Sequence, residues 1–165
     1  MLEYVYFSNI IKRLERFDRA GLEYLEIGEE PHGDPEKCMA GAVMHNQMMF
    51  GMHAIRARSL NVKDSTELVR QALVRLVLHE VGHTLGLNHN MKASQMLSPA
   101  ELLDTAITRK WGVMGSVMDY SSVNVSPDLK PVDYYSTKTG PYDWWAIEYG
   151  YRQFTPAEEA MGLNR

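Results

Sequence analysis

The chain has 165 residues, 45% of them hydrophobic and 23% charged, with a formal net charge of −4. That composition suits one globular domain and excludes wholesale disorder or a low-complexity architecture, while the acidic balance argues against a nucleic-acid partner. No run approaches the ~18 apolar residues of a membrane span, and Met1-Leu2-Glu3-Tyr4 lacks the basic-then-apolar layout of a signal peptide.

Leu2–Phe7 is a candidate strand, Ile10–Phe17 has the spacing of one helix face, and Leu22–Ile27 is ambiguous between strand and helical turn. Gly28–Pro35 has the composition of a loop. Glu36–Ser59 contains no proline, and Met39, Val43, Met44, Met48, Phe50, Met52 and Ile55 predict a long, largely buried helix. After a connection at Leu60–Lys63, Asp64 and Glu67 have the spacing of a capping box. The helix it opens has apolar residues at 68, 69, 72, 73, 76, 77 and 81, which places Arg70 and Arg75 off the buried stripe, and Gly86 is its expected end.

Ser98-Pro99-Ala100-Glu101 is a second capping signal, for a short helix reaching about Thr108. Gly112–Val125 is expected to be turn or irregular, and Pro127–Pro141 a long loop rich in Tyr, Lys, Asp and Pro. A last helix is expected over Asp143–Tyr151, ended by Gly150.

The chemistry concentrates in His79-Glu80-Val81-Gly82-His83-Thr84-Leu85-Gly86-Leu87-Asn88-His89, the spacing HExxHxxGxxH. On a helix, residues four apart are ~40° apart in azimuth and ~6 Å in rise, so His79 and His83 face one ion, with Glu80 flanking them. On a continuous helix His89 would stand ~15 Å beyond His79, too far to share that ion. The helix must therefore break at Gly86, where glycine accepts a left-handed conformation, and the chain must double back. Five such fixed positions coincide by accident on the order of once in 10^5 chains of this length.

Cys38 is the only cysteine, which excludes zinc sites of the four-cysteine and two-cysteine, two-histidine kinds, so a metal is expected on histidines and carboxylates. Three imidazoles suit several divalent ions; zinc is the expected one.

These residues resemble the metzincin clan of zinc endopeptidases, whose methionine turn is similar to Ser116-Val117-Met118-Asp119-Tyr120. More narrowly, Leu78–Ser94, Gly115–Tyr120 and Gly140–Tyr151 resemble the bacterial Met-zincin group. The resemblance implies zinc held by His79, His83 and His89, and hydrolysis of polypeptide substrates by a metal-activated water with Glu80 as general base. It further implies Met118 as a hydrophobic floor and Tyr120 as a candidate helper at the developing oxyanion. Glu36-Lys37-Cys38-Met39-Ala40-Gly41 lacks the residues that flank a zinc-capping cysteine in some clan members, so Cys38 is read as a buried structural thiol.

The implied fold is mainly α with minor β, having an active-site helix, zinc loop and Met-turn, with the clan's N-terminal sheet reduced or missing. Residues 1–165 are expected to be a single metallopeptidase-like domain, or the C-terminal part of a larger catalytic unit. The alternative function is a non-catalytic zinc-binding module or an incomplete fragment of a larger protease. The resemblance suggests an exported protein, and leaves the oligomeric state open.

Overall fold

A computed structural model of the chain describes residues 38–57, 62–128, 130–155 and 158–159. The expected elements before residue 38, including both candidate strands, lie outside the described residues. Those described are mainly helical and contain no strand. Five α-helices follow one another: α1 (Ala40–Ala57), α2 (Val62–Thr84), α3 (Pro99–Leu102), α4 (Thr105–Trp111) and α5 (Pro141–Tyr151), with a 3-10 turn at Ala93–Gln95.

Helix α1 buries one narrow stripe, Ala40, Met44, Met48, Gly51 and Ile55, at steps of three and four. Met39 and Phe50 are exposed, so the expected wide burial of this helix contracts to the face that meets α2. Gly51 admits the Leu68 side chain of α2 against the α1 backbone, and Val123 closes on the same spot.

Helix α2 starts at Val62, which puts Asp64 inside the first turn instead of at the cap; its carboxylate still complements the positive end of the helix. The buried face of α2 differs from the expected apolar stripe. Leu68, Gln71, Ala72, Arg75 and His79 are buried, while Val77 and Val81 are about half exposed. Arg75, expected off the stripe, is 1% exposed. Its Nη1 donates to the Val117 carbonyl at 2.5 Å and its Nη2 to the Asp119 carbonyl at 2.6 Å, so its fork supplies two carbonyls of the 116–120 turn that water cannot reach. Burial pulls the Arg75 guanidinium down to about 10, against the pull of Asp143 and Asp119, and it stays charged at neutral pH.

The capping box at Ser98 forms: Glu101 N–H donates to Ser98 Oγ and Ser98 N–H to Glu101 Oε2. The expected single helix to Thr108 is split in two, because Asp104 takes an extended conformation and accepts from Ala106 N–H, capping α4. Helix α5 runs through Gly150, the expected stop, to Tyr151. It buries an acid and exposes its aromatic residues: Asp143 is 2% exposed, Trp144 72%. Tyr135 and Tyr134 are buried in the body, Tyr135 N–H donating to Gln71 Oε1 at 2.9 Å, so they pack the core under α2.

Candidate metal centre

The last turn of α2 closes with a Schellman motif. Leu87 N–H donates to the Gly82 carbonyl at 3.0 Å and Gly86 N–H to the His83 carbonyl at 2.9 Å. Gly86 has φ of 79° with open space around it, so backbone conformation alone makes glycine fit there. The chain then reverses. Three hydrogen bonds fix the returning loop to the segment around Met118: Asn90 N–H to the Met118 carbonyl, Ser94 N–H to Asp119 Oδ2, and Gly115 N–H to the Ala93 carbonyl.

The reversal brings His79, His83 and His89 together. Ring centroids lie 4.8 Å apart for His79 and His83, 4.7 Å for His83 and His89, and 5.3 Å for His79 and His89. His79 Nδ1 lies 2.7 Å from the Val117 carbonyl and His83 Nδ1 3.1 Å from the Leu87 carbonyl. A carbonyl only accepts, so both Nδ1 atoms carry the proton and both Nε2 lone pairs point to the common centre. The His83 Nε2 atom is buried with no hydrogen-bond partner. An orphaned acceptor among convergent imidazoles fits a bound cation. Burial pushes His79 down to about 4, with Arg75 and the other two imidazoles adding to it, and burial beside His83 lowers His89. Both are neutral at physiological pH, the form that ligates a metal.

Met118 is fully buried. Its sulfur occupies the space that a Cβ on Gly82 would need, so the glycine between the two helical histidines lets the turn approach the helix backbone. The acid that holds this turn comes from α5. Asp143 Oδ1 accepts from Ser116 Oγ at 2.6 Å, and Oδ2 accepts from Val117 N–H at 2.9 Å and Gly140 N–H at 2.7 Å. Gly82, Arg75 and Asp143 were not singled out from the sequence as parts of the site. Only the glycine had a visible signal, its place between ligand candidates.

Tyr120 OH stands 3.1 Å from His89 Nε2 and accepts from Met39 N–H at 2.9 Å. Burial raises its phenol above the ordinary value. Cys38 is not the buried structural thiol expected. It is half-buried, with Sγ 3.3 Å from His79 Nε2 and 3.9 Å from Glu80 Oε1. One donor atom from each of Cys38, His79, His83 and His89 falls within 4.8 Å of the others. A sulfur thus stands among the donor atoms where histidines and carboxylates were expected, and Glu80 Oε1 lies 3.9 Å from that sulfur.

A family profile described as Met-zincin matches residues 61–165. The chain belongs to the Met-zincin family. The matched span takes in all of the imidazole cluster, the 116–120 turn and α5, and leaves out Cys38 and α1. Comparison with curated proteins and with solved structures gives no significant match. Among the described residues, no helix is long and apolar enough to cross a membrane.

Proposed function

We propose that this Met-zincin domain is a zinc-dependent endopeptidase. The observation that carries the reading is the convergence of three imidazoles on one centre, with His83 Nε2 buried and without a hydrogen-bond partner. His79, His83 and His89 would hold the metal. When bound, zinc supplies Lewis-acid polarisation of a carbonyl and acidification of water.

The chain's residues account for the remaining chemistry. Glu80 is one residue past His79 on α2, its Oε1 within reach of the cluster mouth, placed to accept a proton from the attacking water and pass it to the leaving amine. Val117 and Leu87 carbonyls hold the His79 and His83 rings in the ligating tautomer. Tyr120 OH, beside His89, is placed to donate to the oxygen that gains charge during attack.

A second reading, a zinc module without catalysis, is favoured by one observation, the Cys38 sulfur in the mouth of the centre. Structural zinc sites are closed by four protein ligands, whereas catalytic ones keep a position open. Elemental analysis coupled to cleavage of a broad peptide library separates the two, using wild type, Cys38→Ala and Glu80→Gln in the Cys38→Ala background. The peptidase reading expects one zinc per chain in all three and chelator-sensitive cleavage in Cys38→Ala that Glu80→Gln abolishes. Zinc binding with no cleavage by any form would establish the module instead.

A further inference from the structure

We propose that Cys38 Sγ is the fourth ligand of this centre, an in-built thiolate supplied by a segment outside the span shared with the Met-zincin family. The inference rests on the reading that the three imidazoles hold a metal.

Four observations converge on the sulfur. It lies 3.3 Å from Nε2 of His79, a residue 1% exposed whose other nitrogen is committed to Val117. It completes a four-donor set within 4.8 Å, the ligand number of a tetrahedral zinc site, in which His83 Nε2 is buried and unpartnered. Two donors point at it, Ala40 N–H at 3.5 Å and Tyr120 OH at 3.6 Å, the outer hydrogen bonds that steady a metal-bound thiolate. Finally, the next residue is tethered to the site, because Met39 N–H donates to Tyr120 OH.

Cys38 is not on a detachable strap. It stands two residues ahead of α1, whose buried stripe packs on α2 beneath the site. Cutting it away would remove part of the core. Opening the centre therefore calls for a local movement of Cys38 and Met39, with α1 staying in place. The same movement releases the Tyr120 hydroxyl from Met39, so the open position and the tyrosine become available together. Ligation by Cys38 gives up the thiol proton to solvent, and opening takes one back.

Cobalt reads this directly. The apoprotein is loaded with Co(II), with metal counted per chain, and its near-ultraviolet spectrum is compared with those of Cys38→Ser and Cys38→Ala. The proposal expects one cobalt per chain in all three and a thiolate-to-cobalt charge-transfer band in wild type that both variants lose. Should either variant fail to fold, X-ray absorption of zinc-loaded wild type gives the same answer, with a sulfur neighbour at ~2.3 Å. Alkylation is a further readout, since the chain has a single cysteine: one added label per chain, slowed by zinc and restored by chelation. Stoichiometric metal with no sulfur signal would overturn the thiolate ligand and leave the three-imidazole centre standing. Failure to bind metal at all would overturn both.

Discussion

Arg75 and His79, one turn apart on α2, share a single acceptor: Arg75 Nη1 lies 2.5 Å and His79 Nδ1 2.7 Å from the carbonyl oxygen of Val117. A buried cation and a site imidazole are thus registered against the same peptide group, two residues from Tyr120's neighbour Asp119, whose carbonyl takes the other arm of the guanidinium. The orientation of His79 is set by where this turn is held, and the turn is held by Arg75 from one side and Asp143 from the other.

Arg75→Met is expected to destabilise the apoprotein by about 1–3 kcal/mol, because the buried Asp119 carbonyl loses the guanidinium donor while the Val117 carbonyl keeps His79 Nδ1. Zinc affinity should fall by about 10-fold or more as the support of His79 loosens. Arg75→Lys, with one compact ammonium in place of a fork, is expected to fall between the two. Thermal unfolding of the metal-free chain and zinc titration measure the two effects separately.

Asp143 and Trp144 are neighbours on α5 with opposite expectations. Asp143→Ala strands the donors of Ser116, Val117 and Gly140 and is expected to cost at least about 3 kcal/mol in denaturant unfolding. Trp144→Ala, at a residue 72% exposed, is expected to cost less than about 1 kcal/mol. A larger loss at Trp144 than at Asp143 would contradict the placement of this helix.

Gly82→Ala is expected to cost about 1–3 kcal/mol by driving a methyl group into the Met118 sulfur. The two sites are in contact, so their effects should not add: Gly82→Ala combined with Met118→Ala loses less stability than the sum of the single changes. Additive losses in the double-mutant cycle would show that the glycine is needed for another reason.

Gly86→Ala meets no neighbouring atom, so its cost is that of a left-handed conformation, about 1 kcal/mol, with Gly86→Asn costing less. Because the same φ launches the loop carrying His89, zinc affinity should fall along with stability. Equal zinc affinity in Gly86→Ala and wild type would separate the helix stop from the delivery of His89.

Chelation of the zinc-loaded protein is expected to lower its melting temperature, since a ligand bound only by the native state at 1,000 times its Kd stabilises by about 4 kcal/mol. Scanning calorimetry with and without chelator, and with zinc restored, checks this.

The imidazole triplet was legible in the sequence because helical geometry is local. Four residues of helix bring His79 near His83, and the distance to His89 demands a break that Gly86 alone can supply cheaply. The caps at Ser98 and the helix near 141–151 were legible for the same reason, as each depends on residues within one turn. Only the tertiary structure decided the buried face of α2, since apolar periodicity assigns burial by side-chain hydrophobicity. A buried arginine escapes that rule once a turn 42 residues away offers it carbonyl oxygens. Asp143 is buried by the same kind of distant partners, and the aromatic residues beside it are turned outward. Cys38 reaches the centre across 41 residues of chain, through the packing of α1 on α2, and no local pattern encodes that arrival. Spacing therefore determined which nitrogens meet; the packing of two helices decided that a sulfur meets them.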